Sequence, residues 1–261
     1  MKMFLTGLLL VVSNLAFSQV LAPLEVLMNR VFQIADRNTN ATATAFTLEI
    51  DQRQYLITAK HVLPGIKDGE TILLRIGDKW QTFPVQVINL ARTNTDIVVL
   101  IPPRVIAKAL PIDATIIGMY LGQDVNFFGF PYKDLHTSGL IGIPNPQFGL
   151  VPGEVMVTPF IKRGLVSAMQ DNVIWLDGIN NPGFSGGPVV CYNRDTRRVQ
   201  IIAVVSGYLN ASDAVRLRGQ PTELLSLSNS GIIKSYMIED AVAAIRSRPE
   251  GPKVEQPTTQ K

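Results

Sequence analysis

The run Asn181-Pro182-Gly183-Phe184-Ser185-Gly186-Gly187-Pro188 sets a serine among glycines. A serine becomes a nucleophile when its Oγ is exposed, a base takes its proton, and donors receive the oxyanion that forms. Glycines on both sides let the backbone turn sharply and aim N–H groups at one point. The N–H groups of Gly183 and Ser185 are the candidate oxyanion donors. A glycine-rich turn between strands has the same composition, so Ser185 acquires meaning only from partners. The chain has two histidines, His61 and His136. His61 ends the β-rich run Tyr55-Leu56-Ile57-Thr58-Ala59-Lys60, whereas His136 falls in a Gly- and Pro-rich stretch with no strand to hold it. General bases work best on rigid elements, although a lone histidine after a strand is also an ordinary structural residue. Asp96 directly precedes Ile97-Val98-Val99-Leu100, where its carboxylate is expected to be partly buried and to need a partner. An imidazole N–H is such a partner: the pair fixes the tautomer and stabilises the imidazolium. A strand-capping aspartate is the plainer alternative.

The elements that must position these residues read as strands. Residues 45–50 and 55–59 alternate around a turn at 51–54, a hairpin signal. Further strands are expected at 71–76, 81–90, 97–101, 124–130, 161–169, 173–177, 187–191 and 199–205, and their even spacing points to an all-β sandwich or barrel. Residues 102–103 and 110–120 are suited to join two barrels of similar size. The stretch 133–159, rich in Gly and Pro, is expected to be a long surface loop. A helical period occurs only at 235–247, with Ile238, Val242 and Ile245 on one face, Ser235 as N-cap, and Glu239 and Asp240 at the positive end. Residues 248–261 are polar and Pro-containing and read as a disordered tail.

Composition removes several classes. With 46% hydrophobic and 17% charged residues, the chain can bury one large core or two small ones. The net charge of +3 is spread without a basic stripe, so no nucleic-acid partner is expected. Cys191 is the only cysteine, so no intrachain disulfide forms; its place in an apolar run suits a buried structural thiol. Lys2, the apolar run 3–12 and the small residues Ala16 and Ser18 at the two recognition positions form a signal-peptide pattern, with cleavage expected after Ser18. Export without disulfides suits a secreted or periplasmic bacterial protein, with no stable membrane span after signal removal.

The order His61, Asp96, Ser185, with these three local strings, resembles the trypsin-like (chymotrypsin-fold) serine peptidases, in the compact bacterial form of the HtrA/Deg protease domain without PDZ. The resemblance covers about residues 30–246. Arg163-Gly164-Leu165-Val166-Ser167, Ala203-Val204-Val205-Ser206-Gly207-Tyr208 and Gly231-Ile232-Ile233 add to it. It implies two antiparallel six-stranded β-barrels, about 30–110 and 118–234, a C-terminal helix at 235–247, and a peptidase domain over 19–247. His61, Asp96 and Ser185 become the catalytic triad, with Ser206 supporting Asp96 and no metal or organic cofactor. Ile179, Ser206, Gly207, Tyr208 and Gly231 line the substrate pocket. None of these is acidic, which implies small or apolar residues before the scissile bond. The expected partners are protein or peptide substrates. Esters obey the same oxyanion logic, but a strand at 204–208 that pairs with an extended peptide favours proteolysis. Phe184 departs from the digestive enzymes, whose acidic residue there receives a new N-terminus, so activation by that ion pair is not expected. A latent or inactive protease-fold binding protein is the alternative, because a fold alone does not carry chemistry.

Overall fold

The computed structural model describes residues 24, 27–35, 41–108, 112–131, 137–138, 157–217 and 220–254. The apolar run at 3–12, the cleavage site after Ser18, His136 and most of the 133–159 stretch lie outside the described residues.

β1 (Val31–Ala35), β2 (Thr42–Ile50), β3 (Arg53–Thr58), β4 (Thr71–Ile76), β5 (Lys79–Pro84), β6 (Gln86–Ile88) and β7 (Val98–Ile101) form one antiparallel sheet, ordered β5-β4-β1-β2-β3-β7-β6. The β2–β3 turn places Asp51 and Gln52 at φ +50° and +61°, as a two-residue hairpin turn that follows strand twist requires. Sequence reading expected one strand at 81–90. The structure breaks it at Val85, whose N–H donates to Glu70 O, so the two ends of the sheet are consecutive pieces of one bent strand. The sheet is a curled half-barrel.

β8 (Asp113–Ala114), β9 (Asp124–Gly129), β10 (Thr137–Ser138), β11 (Val157–Thr158), β12 (Phe160–Gln170), β13 (Val173–Asp177), β14 (Pro188–Asn193), β15 (Arg198–Leu217) and β16 (Gln220–Met237) follow. The order β14-β9-β12-β13-β16-β15, with β14 also paired to β15, closes a six-stranded barrel. The all-β, chymotrypsin-like architecture is therefore as expected, with hydrogen-bonded closure complete in the second barrel.

Three apolar clusters follow from this arrangement. One fills the first barrel around Ile34, Leu56, Leu74 and Leu100. Another fills the second around Phe127, Val166, Phe184 and Ile202. The third joins Phe46, Ile57, Val99, Phe128 and Val204 to helix α1 (Glu239–Ser247), through Ala241, Val242 and Ile245. Cys191 is buried in the second barrel, as expected of a structural thiol, and burial pushes its pKa up to about 11.

Two expectations change. Ser235 is not an N-cap; it lies buried within β16, and the helix begins after Ile238, with Glu239 and Asp240 in its first turn. The first residues of the expected disordered tail are also ordered. Gly251 is buried against Tyr55, Gln54 N–H donates to Pro252 O, and Lys253 bridges to Arg53. A Pro-containing polar segment gains order here by pairing its backbone with β3. Among the described residues, no helix is long and apolar enough to cross a membrane.

Candidate active site

His61 lies in a 3-10 turn, Lys60–Val62, directly after β3. Buried Leu63 anchors the end of that turn in the first barrel, and its N–H donates to Lys60 O. Asp96 lies on the approach to β7, between Thr95 and Ile97, both buried. Thr95 is pinned from the other barrel: its Oγ1 donates to Asp240 Oδ2 (2.8 Å) and accepts from Asn172 Nδ2 (2.6 Å). Thus the segment carrying Asp96 is held by α1 and by the β12–β13 turn.

These placements bring Asp96 Oδ2 within 2.7 Å of His61 Nδ1, while Asp96 Oδ1 accepts the His61 N–H at 2.9 Å. Ser206 Oγ, on β15, donates to the same Oδ2 at 2.5 Å. The imidazole is 51% exposed and the carboxylate 19%, so the His61 ring is open to solvent and Asp96 sits behind it. The hydrogen bond to Asp96 raises the His61 pKa above its ordinary value, against the opposing effect of burial. Burial acts to raise the Asp96 pKa, but the hydrogen bonds from His61 and Ser206 outweigh it and hold the carboxyl below its usual range.

Ser185 sits on a loop wedged between the barrels. Thr44 of β2 binds it twice: Thr44 N–H donates to Ser185 O (2.9 Å) and Thr44 Oγ1 donates to Gly183 O (2.6 Å). A Cβ on Gly186 would lie 2.1 Å from Thr44 O, and one on Gly187 would lie 1.9 Å from Phe128 O. Gly183 takes φ +102°, and a Cβ there would lie 2.1 Å from Phe130 O. The glycines that sequence reading assigned to a tight turn therefore also permit close backbone approach. Among the described residues, neither the Gly183 nor the Ser185 N–H donates to a backbone acceptor. Ser185 Oγ itself donates to Ser206 O at 2.9 Å.

Phe184 is fully buried and meets Phe127 edge-on at 5.4 Å between centroids. Burying such a side chain contributes roughly 1.5–3 kcal/mol, whereas a buried ion pair is often neutral. The loop is thus anchored by apolar packing where the digestive enzymes use charge. Lys162, which sequence reading did not single out, adds a second tether. Its Nζ donates to Ile179 O (2.9 Å) and Asn181 Oδ1, and lies 5.4 Å from the centre of the Phe184 ring. Burial lowers its pKa. A single lysine on a strand gives no sequence signal of this role, and neither does Thr44.

The remaining candidate residues fall on adjoining segments. Gly207 and Tyr208 pair with Lys234 and Ile233 of β16. Gly178 N–H donates to Gly231 O, and Asn229 Nδ2 donates to Asn180 O, which sets Gly231 beside the 178–180 segment. Ile179 is 65% exposed. Asp177 Oδ1 comes within 3.9 Å of where a Gly231 Cβ would sit, an acidic group beside the segments that sequence reading found free of acids. A separate cavity of about 890 Å³, lined by Glu49, Ile112, Thr115, Glu239, Val242 and Arg246 among others, includes none of these residues.

The site thus joins a Gly-rich loop carrying Ser185 to a His61–Asp96 pair through Ser206, between the two sheets. Residues 43–199 match the trypsin-like peptidase domain. The chain belongs to that family. Among solved structures it is similar to the serine endoprotease from Yersinia pestis, at 17% identity and a TM-score of 0.53 over 88% of this chain and 65% of that one. It is also similar to the HtrA-type protease AlgW with a tripeptide, at 16% identity and a TM-score of 0.52 over 90% and 64%. At such identity the likeness is one of fold, and the chain spans slightly less than two thirds of either structure. No curated protein sequence matches it significantly.

Proposed function

We propose that this family member is an exported serine endopeptidase acting through His61, Asp96 and Ser185. The observation that carries the reading is the continuous chain His61–Asp96–Ser206 ending beside Ser185 Oγ. In the reaction, Ser185 Oγ turns from Ser206 O to His61 and attacks the scissile carbonyl while His61 Nε2 takes its proton. The N–H groups of Gly183 and Ser185 receive the oxyanion. His61 returns the proton to the leaving amine, and water then hydrolyses the acyl-enzyme by the same exchange.

Fluorophosphonate labelling tests this directly. Expressed with residues 1–18 in place, the exported chain is expected to begin at Gln19 and to carry an adduct on Ser185 that Ser185→Ala abolishes. A folded chain that takes no adduct would overturn the reading; a chain that is labelled but retained would overturn only the export. One observation favours a latent site instead: the resting Ser185 Oγ is bonded to Ser206 O rather than to His61. Labelling that requires an added peptide would support that second reading.

Side-chain preference follows from the segments around Ile179. Its exposed aliphatic surface, and the Lys162 ammonium bonded to its carbonyl oxygen, favour small or apolar residues before the scissile bond. Cleavage of a peptide library is expected to show that preference. Preferred cleavage after Arg or Lys would assign the pocket to Asp177.

A further inference from the structure

The strand that carries Ser206 does not end at the barrel wall. β15 runs from Arg198 to Leu217, but its pairing with β14 stops at Val204. Gly186 N–H and Val205 N–H make the last bonds along that side, to Val205 O and Gly187 O. From Ser206 onward, no strand among the described residues pairs with this edge of β15, while the opposite edge stays paired to β16 as far as Leu217 and Gln220. Between the pairs Val205–Ser235 and Gly207–Lys234, β15 advances two residues and β16 one, so one bulge falls on β15 at Ser206; farther out the irregularities fall on β16. Between the pairs Tyr208–Ile233 and Asn210–Asn229, β15 advances two residues and β16 four; between Ala214–Leu225 and Arg216–Pro221 the same holds. The extra residues therefore lie on β16, and β15 keeps a regular two-residue repeat from Gly207 outward. Proteins blunt exposed strand edges with bulges unless something pairs with them, and beyond Ser206 the bulges here are on the other strand.

This edge starts at the Ser206 carbonyl, beside the proposed nucleophile, and at about 3.3 Å per residue it extends roughly 33 Å from it. Its base is flanked by apolar surface: Leu209 is 44% exposed and Ile232 42%. We propose that the edge of β15 over residues 207–217 is an extended substrate site. It takes the segment upstream of the scissile bond of an unfolded polypeptide as an added antiparallel strand, well past the few residues nearest the cut. The inference rests on the reading of Ser185 as nucleophile and specifies what that site acts on: long extended segments rather than short peptides or compact loops.

Peptides sharing one residue before the scissile bond and one chromogenic leaving group, but extended upstream from three residues to ten, test it. Between four and nine residues, kcat/KM is expected to rise about tenfold or more, as two or more additional backbone hydrogen bonds would give. N-methylation of upstream amides is expected to lower the rate at alternate positions only. Replacing residues 211–228 by Asn-Gly is expected to remove the length advantage; if that chain does not fold, the N-methyl series on the intact protein decides. Fluorescence anisotropy with labelled four- and nine-residue peptides on the Ser185→Ala chain is expected to show the same ratio without turnover. Cleavage with a flat length series overturns this inference alone. Length-dependent binding without cleavage overturns the nucleophile reading alone. A flat series together with dimers that the 211–228 replacement dissociates would assign the edge to a second copy and overturn the inference.

Discussion

Ser185→Ala, His61→Ala and the double substitution are each expected to lower kcat for peptide hydrolysis by the same factor, roughly 10⁶. The equality is the informative part. In the proposed mechanism His61 takes a proton from Ser185 Oγ, and Ser185 attacks only as that proton leaves, so removing either removes the whole step. The N–H groups of Gly183 and Ser185 survive all three substitutions, because they are backbone groups fixed by Thr44 and by the packing of Phe184. They should leave a residual rate roughly 10³–10⁴ above that in water. Steady-state kcat on one chromogenic peptide for the three variants measures this. A single variant that keeps most of the wild-type rate would remove that residue from the mechanism. A double variant far slower than either single would mean that the two residues act independently.

What could be read from the sequence depends on how local each signal is. Ser185 and its glycines, His61 after a strand and Asp96 before one each leave a mark within ten residues. Their chain order makes the resemblance, and the strands that position them alternate plainly. The groups that hold the site together leave no such mark. Thr44 acts on Ser185 from 141 positions away, and Asn172 and Asp240 clasp Thr95 from 77 and 145. A threonine, an asparagine and an aspartate in those local contexts look like any polar residues at strand and helix ends. Phe184 shows the same limit in reverse. From the sequence Phe184 shows only that the acidic residue of the digestive enzymes is absent; the interior of the second barrel shows the ring itself to be the anchor. The outer half of β15 carries no such signal in its sequence. Beyond Tyr208, Leu209-Asn210-Ala211-Ser212-Asp213 has no apolar run, and its backbone is held by β16 rather than by burial. The same holds for residues 251–253: their order comes from bonds to β3, which composition does not encode.

Asp96→Asn is expected to lower kcat by roughly 10⁴ near neutral pH and to move the acid limb of the pH profile downward. Asp96 accepts three hydrogen bonds: His61 Nδ1–H and Ser206 Oγ–H on Oδ2, and His61 N–H on Oδ1. An amide can present an oxygen to only one side. With its oxygen toward the ring, its NH₂ would meet the His61 backbone N–H, which cannot adapt; with its oxygen toward that N–H, its NH₂ faces Nδ1, and the imidazole relieves the clash by moving its proton to Nε2, the atom that accepts from Ser185 in the proposed mechanism. The pH effect follows from the sign of the His61 shift. Its pKa is raised above its ordinary value, with the Asp96 hydrogen bond as the largest cause, and the proposed reaction needs the neutral ring. Activity in the wild type therefore falls as pH drops through a midpoint above 6.5. With the carboxylate replaced by a neutral amide, the charge and the acceptor that raised it are gone, and burial alone acts, lowering the midpoint. Ser206→Ala provides the contrast, because it removes a donor to Asp96 and leaves the carboxylate charged, so its midpoint should stay above the ordinary histidine value. Profiles of kcat from about pH 5 to 9 on the three chains separate these cases. A midpoint unchanged by Asp96→Asn would mean that the titrating group is not His61, and the base would have to be sought elsewhere in the cleft.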